Sequence, residues 1–247
     1  MFFSGNDTHS FGGNWHTGLA VGATPLGPFR MTSLKGRYLN GGTAASGRWL
    51  YEARTLPDGQ GELARSRDGI HWRRISNVPQ APRATPYQLT GDYGLTTISS
   101  GLRVWALARR SRTGLGGDLV TLDRIRGRWV KPRTLLGTGT LPWENLDVGE
   151  PAPVTVNGRD YLTYTATAQA QTIRSLGLAV RTSGQWRRCS TRPLVAPGAS
   201  WGPRVAVDSS PLVIGRRLYL YYGGGTGTSI AADLGGAIGV RVYRTPK

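Results

Sequence analysis

Cysteine is almost missing from this chain: Cys189 is the single one in 247 residues. That excludes an internal disulfide and a thiolate cluster for zinc. Histidine is nearly as scarce. His9, His16 and His71 lack the HExxH spacing of a metalloprotease, and no metal-ligand set is read from the sequence. No stretch approaches the roughly 18 apolar residues of a membrane span, so a membrane partner is not expected. The opening Met1-Phe2-Phe3-Ser4-Gly5-Asn6-Asp7 has no basic region, long apolar segment or cleavage site. This places the chain as given in the cytoplasm, or outside the cell if a longer native N-terminus carries a leader. Amphipathic helical patterning is essentially absent. The nucleophile-elbow pattern and the phosphate-binding glycine loops do not occur in usable context. Gly223-Gly224-Gly225-Thr226-Gly227-Thr228 follows a strand and leads to no helix.

Acidic residues are few, 14 against 31 basic ones, and the formal net charge is +17. Only Lys35, Lys131 and Lys247 are lysines, so nearly all of this charge is arginine. Such a chain attracts polyanions non-specifically. The arginines are scattered in pairs such as Arg73-Arg74, Arg109-Arg110, Arg187-Arg188 and Arg216-Arg217, with no single basic block. They read as a solvated surface, and no specific nucleic-acid partner is expected.

What is abundant is turn chemistry: 36 glycines and 15 prolines, with 38% hydrophobic residues for a core. Many turns between short strands point to an all-β fold. The strands repeat. Trp72, Trp129 and Trp186 close similar segments and stand 57 residues apart each time. Gly47, Gly101, Gly158 and Gly215 each open a strand, as in Gly158-Arg159-Asp160-Tyr161-Leu162. A third series comprises Gly18-Leu19-Ala20-Val21, Gly61-Glu62-Leu63-Ala64, Gly117-Asp118-Leu119-Val120, Gly177-Leu178-Ala179-Val180 and Gly239-Val240-Arg241-Val242. Five repeats of about four short strands each, the first incomplete, fit a five-bladed β-propeller, in which stacked sheets bury the faces that one sheet would expose. The blades are expected near 1–30, 31–78, 79–140, 141–200 and 201–247, as one domain. Inner strands are expected at Asn40–Thr43, Leu95–Ile98, Ala152–Val156 and Ala206–Val213. The first blade lacks its innermost strand in this chain. Asn157-Gly158, between two β-rich runs, predicts a type I′ hairpin.

The heads of inner strands converge on one face of a propeller. Asp92, Glu150 and Asp208 precede three of them, a notable recurrence in an acid-poor chain. Each has a plainer reading as a turn acid bonded to backbone amides. Trp15, Trp143 and Trp201 lie in loop-like sequence and are candidate platforms for stacking a ligand. Arg204, just before the last inner strand, is a candidate partner for a ligand hydroxyl or carboxylate. Trp72, Trp129 and Trp186 are expected between blades.

The segments MFFSG, TGLAVGATPLGPF (Thr17 to Phe29), GEPAPVTVNGRDYLTYTA (Gly149 to Ala166) and VDSSPLVIGRRLYLYYGG (Val207 to Gly224) resemble the five-bladed propeller glycoside hydrolases, chiefly family 43 and its relatives in families 32 and 68. The resemblance implies a carbohydrate or glycoside substrate, with Glu150 as general acid and Asp92 tuning it. It also implies an Asp base or nucleophile on the first inner strand. That strand is missing here, leaving Asp208, Asp147 and Asp7 as substitutes. A calcium ion sits in the channel of some relatives; no other cofactor is expected. Glycosidic cleavage needs a protonated and an ionised carboxyl. Three readings therefore stand: a glycosidase whose Glu150 is kept protonated by its pocket; a propeller that binds sugar or runs another reaction without hydrolysis; and a basic docking surface, disfavoured by the scattered arginines.

Overall fold

Left-handed two-residue turns close several of the hairpins. Asn157-Gly158 has φ of 50° and 74°, Arg126-Gly127 47° and 83°, and Ser183-Gly184 49° and 79°. Positive φ at both positions is what a type I′ turn requires, as the Asn-Gly pair predicts. The computed structural model describes residues 2–6, 15–36, 39–56, 58–79, 88–109, 117–168, 173–198, 204–225 and 237–245. Among them there is no helix.

The strands pair in antiparallel groups along the chain. β1 (Phe2–Asn6), β2 (Trp15–Gly22) and β3 (Phe29–Gly36) form the first sheet. β4 (Leu39–Ser46), β5 (Trp49–Thr55), β6 (Gly61–Ser66) and β7 (Arg73–Asn77) form the second. The third holds β8 (Gln88–Ile98), β9 (Gly101–Arg109) and β10 (Gly117–Ile125), with β11 (Arg128–Trp129) and β12 (Arg133–Gly137) beside β10. β13 (Asp147–Val156), β14 (Arg159–Thr167), β15 (Arg174–Thr182) and β16 (Gln185–Arg188) follow, then β17 (Val205–Ile214), β18 (Arg217–Gly225) and β19 (Ala237–Arg244). One parallel pairing, Arg174 with Val205, joins these last two groups into a single sheet.

Three apolar layers lie between successive groups. Ala53 and Leu63 of the second pack on Leu95, Val104 and Leu122 of the third, with Trp129 at the margin. Trp105 and Leu119 meet Val148, Leu162 and Tyr164 of the fourth, with Trp186 edge-on to Trp105 at 5.6 Å. Leu176 and Val195 meet Ala206, Leu220 and Tyr222 of the fifth. Trp129 and Trp186 thus fill the inter-sheet role expected of them. Trp72 instead donates its indole N–H to Gly69 O at 3.1 Å, closing its own turn. On the opposite side of β5 from Ala53 the chemistry changes: Glu52 is fully buried, and Arg54 pairs with the buried Glu62. Tyr221 of β18 donates to Pro25 O and packs edge-on against Phe29, bringing the last group back to the first. This is the stacked-sheet logic of a β-propeller.

Two expectations need correction. Met31–Gly36, assigned to the second repeat, belongs to β3 and pairs with β2. The inner strands β4, β8, β13 and β17 also run further upstream than their apolar cores suggest, because each resumes pairing beyond a bulge. Among the described residues, no strand pairs with the free side of β1.

The inner strands touch through glycine. A Cβ on Gly42 would collide with the Leu95 amide, and one on Gly94 with the Pro151 carbonyl oxygen. Backbone cannot yield as a flexible side chain can, so Gly94→Ala should cost about 1–3 kcal/mol by overpacking. At roughly 2–4 °C per kcal/mol for a chain of this size, calorimetry should show a clearly lowered unfolding midpoint.

Candidate functional site

Four bulges set the site. In β13, Gly149 pairs with Thr165 and Ala152 with Thr163, so β13 has one residue more than β14 across this interval. β17 repeats this between Val207 and Ser210, and β4 between Asn40 and Thr43. β8 has a longer bulge between Thr90 and Gly94. The residue after the last regular pair is Glu150 in β13, Asp208 in β17 and Gly41 in β4. Glu150 and Asp208 adopt φ of 50° and 51°. A left-handed non-glycine residue is strained by about 1–3 kcal/mol and must be held by its surroundings.

The surroundings of Glu150 do hold it. Its side chain is 12% exposed and that of its partner Arg174 14%. Arg174 Nη2 donates to Glu150 Oε1, and Thr165 Oγ1 donates to Oε2. The backbone N–H of Asp208 reaches Glu150 Oε2 at 3.1 Å and Thr165 Oγ1 at 3.2 Å. Below this, Ser209 Oγ donates to Thr163 Oγ1 at 2.8 Å, and Thr163 Oγ1 to Ala152 O at 3.0 Å. Glu150, Thr165, Arg174, Asp147, Thr167, Gly149 and Leu107 enclose a polar cavity of about 40 Å³. That is room for about one water molecule and too little for a sugar ring.

Burial pushes the Glu150 carboxyl up. The Arg174 charge, the Thr165 hydroxyl and the Asp208 amide outweigh burial and hold it below the usual glutamate range. Glu150 is therefore ionised at neutral pH, which corrects the expectation of a protonated acid. The carboxyl that burial does raise is Glu144, fully buried, where Tyr164 and Arg188 oppose the shift without cancelling it. Tyr164 OH donates to Glu144 Oε2 at 2.9 Å, and Arg188 pairs with its other oxygen.

The expected residues divide as follows. Glu150 and Asp208 come together across the fourth and fifth groups, with the Asp208 side chain exposed. Asp92 lies in the β8 bulge, and its side chain is outside the described residues, as are Asp7, Trp201 and the side chain of Trp15. Trp143 stacks on the buried Tyr164 at 6.3 Å and donates to Thr191 O at 2.9 Å, which makes it a packing residue of the inter-sheet layer instead of an open platform. Arg204 is exposed; its carbonyl accepts from the Arg174 amide at 3.4 Å, so it lies beside the site through its backbone. Arg174 and Thr165 were not singled out from the sequence. The signal for Thr165 was there: Thr163, Thr165 and Thr167 alternate with Leu162, Tyr164 and Ala166, and all six are buried. One face of β14 is apolar and the other carries hydroxyls.

No three His, Cys, Asp or Glu side chains among the described residues gather as ligands. Glu150, the buried acid, is already neutralised by a guanidinium.

Comparison of the whole fold decides its class. The chain is similar to β-1,2-mannobiose phosphorylase from Listeria innocua, with a TM-score of 0.69 and 13% identity over 93% of this chain and 67% of that one. It is similar to α-L-arabinofuranosidase from Lactobacillus brevis, with a TM-score of 0.67 and 14% identity over 99% and 88% of the two chains. The fold is that of the β-propeller glycoside hydrolases. A levansucrase from B. megaterium shares this propeller at a TM-score of 0.60 and 11% identity, over 91% of this chain and 70% of that one. No family model and no curated protein matches the sequence.

The Arg174 pairing makes a testable demand. Arg174→Met leaves a buried carboxylate without its counter-charge, at a cost of about 3–5 kcal/mol. The sign follows from the depressed carboxyl: its stabilisation is present above the unfolded-state value and is lost as pH falls through the folded value. Denaturant titrations should therefore show the largest difference between wild type and variant near pH 7. The gap should narrow towards pH 4 as Glu150 of the variant takes up a proton.

Proposed function

We propose that this propeller acts on carbohydrate at the bulged ends of its inner strands, and that it cleaves a glycosidic bond with Glu150 as the site carboxylate. The observation that carries the reading is the pairing of Glu150 with Asp208: two acids at the same bulge of successive inner strands, both left-handed, bonded to one another through the Asp208 amide. Stability alone favours glycine wherever the backbone is left-handed. Bulges next to sites re-aim side chains, and backbone strain of this kind concentrates where function keeps it. The names of the similar structures, a phosphorylase of β-1,2-mannobiose and an arabinofuranosidase, are those of carbohydrate-active enzymes.

Cleavage divides labour between an ionised carboxyl, which attacks the sugar or deprotonates water, and a protonated one, which assists the leaving group. With Arg174 and Thr165 bound to it, Glu150 suits the ionised role. Asp208, exposed across the seam, is the second acid at the bulges; an exposed carboxyl is ionised at neutral pH, so it donates a proton only once bound substrate covers it and burial favours its neutral form. This exchanges the role that the resemblance implies for Glu150.

A panel of aryl glycosides tests the assignment. Glu150→Ala should lower turnover by about 1,000-fold or more, and added azide should restore it by standing in for the lost carboxylate. Absence of rescue, with near-normal turnover of substrates carrying strongly activated leaving groups, would return Glu150 to the general-acid role. A second reading, sugar binding without hydrolysis, is favoured by the fact that both Glu150 oxygens are already engaged. Its outcome is measurable sugar binding by the wild type with no aglycone released from any member of the panel.

A further inference from the structure

Six of the arginines that look scattered in sequence lie at one end of the propeller. Each inner strand runs from its bulge to a hairpin, so the turns at 47–48, 157–158 and 215–216 lie at the end of the propeller away from Glu150. The turns between third and fourth strands, such as 67–72, 126–127 and 183–184, return at that same end, because antiparallel neighbours alternate direction. Arg48, Arg67, Arg126, Arg128, Arg187 and Arg216 sit in or beside these turns, and all six are exposed. We propose that this end of the propeller is a binding face for an acidic polysaccharide, a chain bearing carboxylates at regular intervals.

Among the described residues, carboxylates do not neutralise this charge. Asp68 is engaged by His71 Nδ1 at 2.7 Å and by the amides of Ile70 and His71. Asp123 takes Arg103 through two bonds of 2.6 and 2.8 Å. Asp160 accepts from Thr155 and lies 3.6 Å from Arg181. None of the six named arginines forms an ion pair with a carboxylate among the described residues. Around Trp49 the crowding is greatest: the guanidiniums of Arg65, Arg67 and Arg48 lie 4.5, 4.7 and 5.8 Å from its ring. Arg65 also faces Arg73 directly across the β6–β7 pair. Like charges placed opposite each other are destabilising, and the indole face offsets only part of that while fixing where the cations sit. A face assembled against its own repulsion is ready for an anionic ligand.

Arginine in place of lysine favours carboxylate groups, which its planar fork engages through two bonds. Nucleic acid fits less well. Single strands need aromatic faces on which bases stack, and at this end the Trp49 ring is occupied by guanidiniums. Duplex reading needs a helix or ribbon that enters a groove, whereas this end is made of short turns. A carboxylated polysaccharide asks only for guanidiniums at intervals.

The test is binding of the full chain to polygalacturonate, with neutral dextran, poly-dT and duplex DNA as comparison ligands, over a series of salt concentrations. Binding to polygalacturonate and not to dextran is expected, weakening log-linearly with salt. The fourfold variant Arg67→Glu, Arg126→Glu, Arg128→Glu and Arg216→Glu should lose about 100-fold or more in affinity. Arg192→Glu lies near the start of β15, where the neighbouring Leu194 amide bonds Leu176 O at 2.7 Å, and should change affinity by less than about threefold. Should the fourfold variant fail to fold, Arg126→Glu alone should lower the salt slope by about one. Equal loss in Arg192→Glu, no binding by the wild type, or tighter binding of either DNA at the same salt overturns the proposal. The readout involves no glycoside turnover, so it stands or falls separately from the role of Glu150.

Discussion

The ion pair between Arg174 on β15 and Glu150 on β13 is the contact on which the site depends. It spans from the third strand of its sheet to the inner strand and holds a carboxylate in a nearly dry place. Without Arg174 the burial of Glu150 would favour the neutral acid, and its left-handed backbone would lose the contact that fixes it. The Asp208 amide and the Thr165 hydroxyl complete the cradle and carry it across to the neighbouring strand group. The charge state of the site thus follows from the way adjacent sheets are stitched together.

That stitching is possible because the inner strands approach closely. Gly42, Gly94 and the Pro151 carbonyl leave no room for a side chain at the level of the bulges. Where the second group has Gly41, the fourth and fifth carry Glu150 and Asp208 at corresponding places. The same bulge that lets glycine pack tightly in one sheet turns an acid into the site in another. Apolar layers between the groups supply the rigidity, and Trp105, Trp129 and Trp186 lock them.

Much of this architecture is legible in the residues. The 57-residue tryptophan spacing, the turn glycines and Asn157-Gly158 all report sheet units, because local turn chemistry and alternating burial leave a short-range signature. The bulges leave none. Asp92, Glu150 and Asp208 look like residues ahead of a strand, and only cross-strand pairing places them inside one. The ionisation of Glu150 is set by Arg174, 24 residues later in the chain and adjacent only after β14 has turned back. Trp143 reads as a loop aromatic, yet its partner is the buried Tyr164. The arginines mislead in the opposite way: dispersed along the chain, six of them share one end because antiparallel strands return every other turn to it.

The titration of Glu150 tests the account most directly. With the glutamate carboxyl carbons labelled, NMR should show the Glu150 signal titrating with a midpoint below about 4.3, that of an unperturbed glutamate. In Arg174→Met the midpoint should move above that value. A wild-type midpoint at or above that of a free glutamate, unmoved by the Arg174 substitution, would contradict the account.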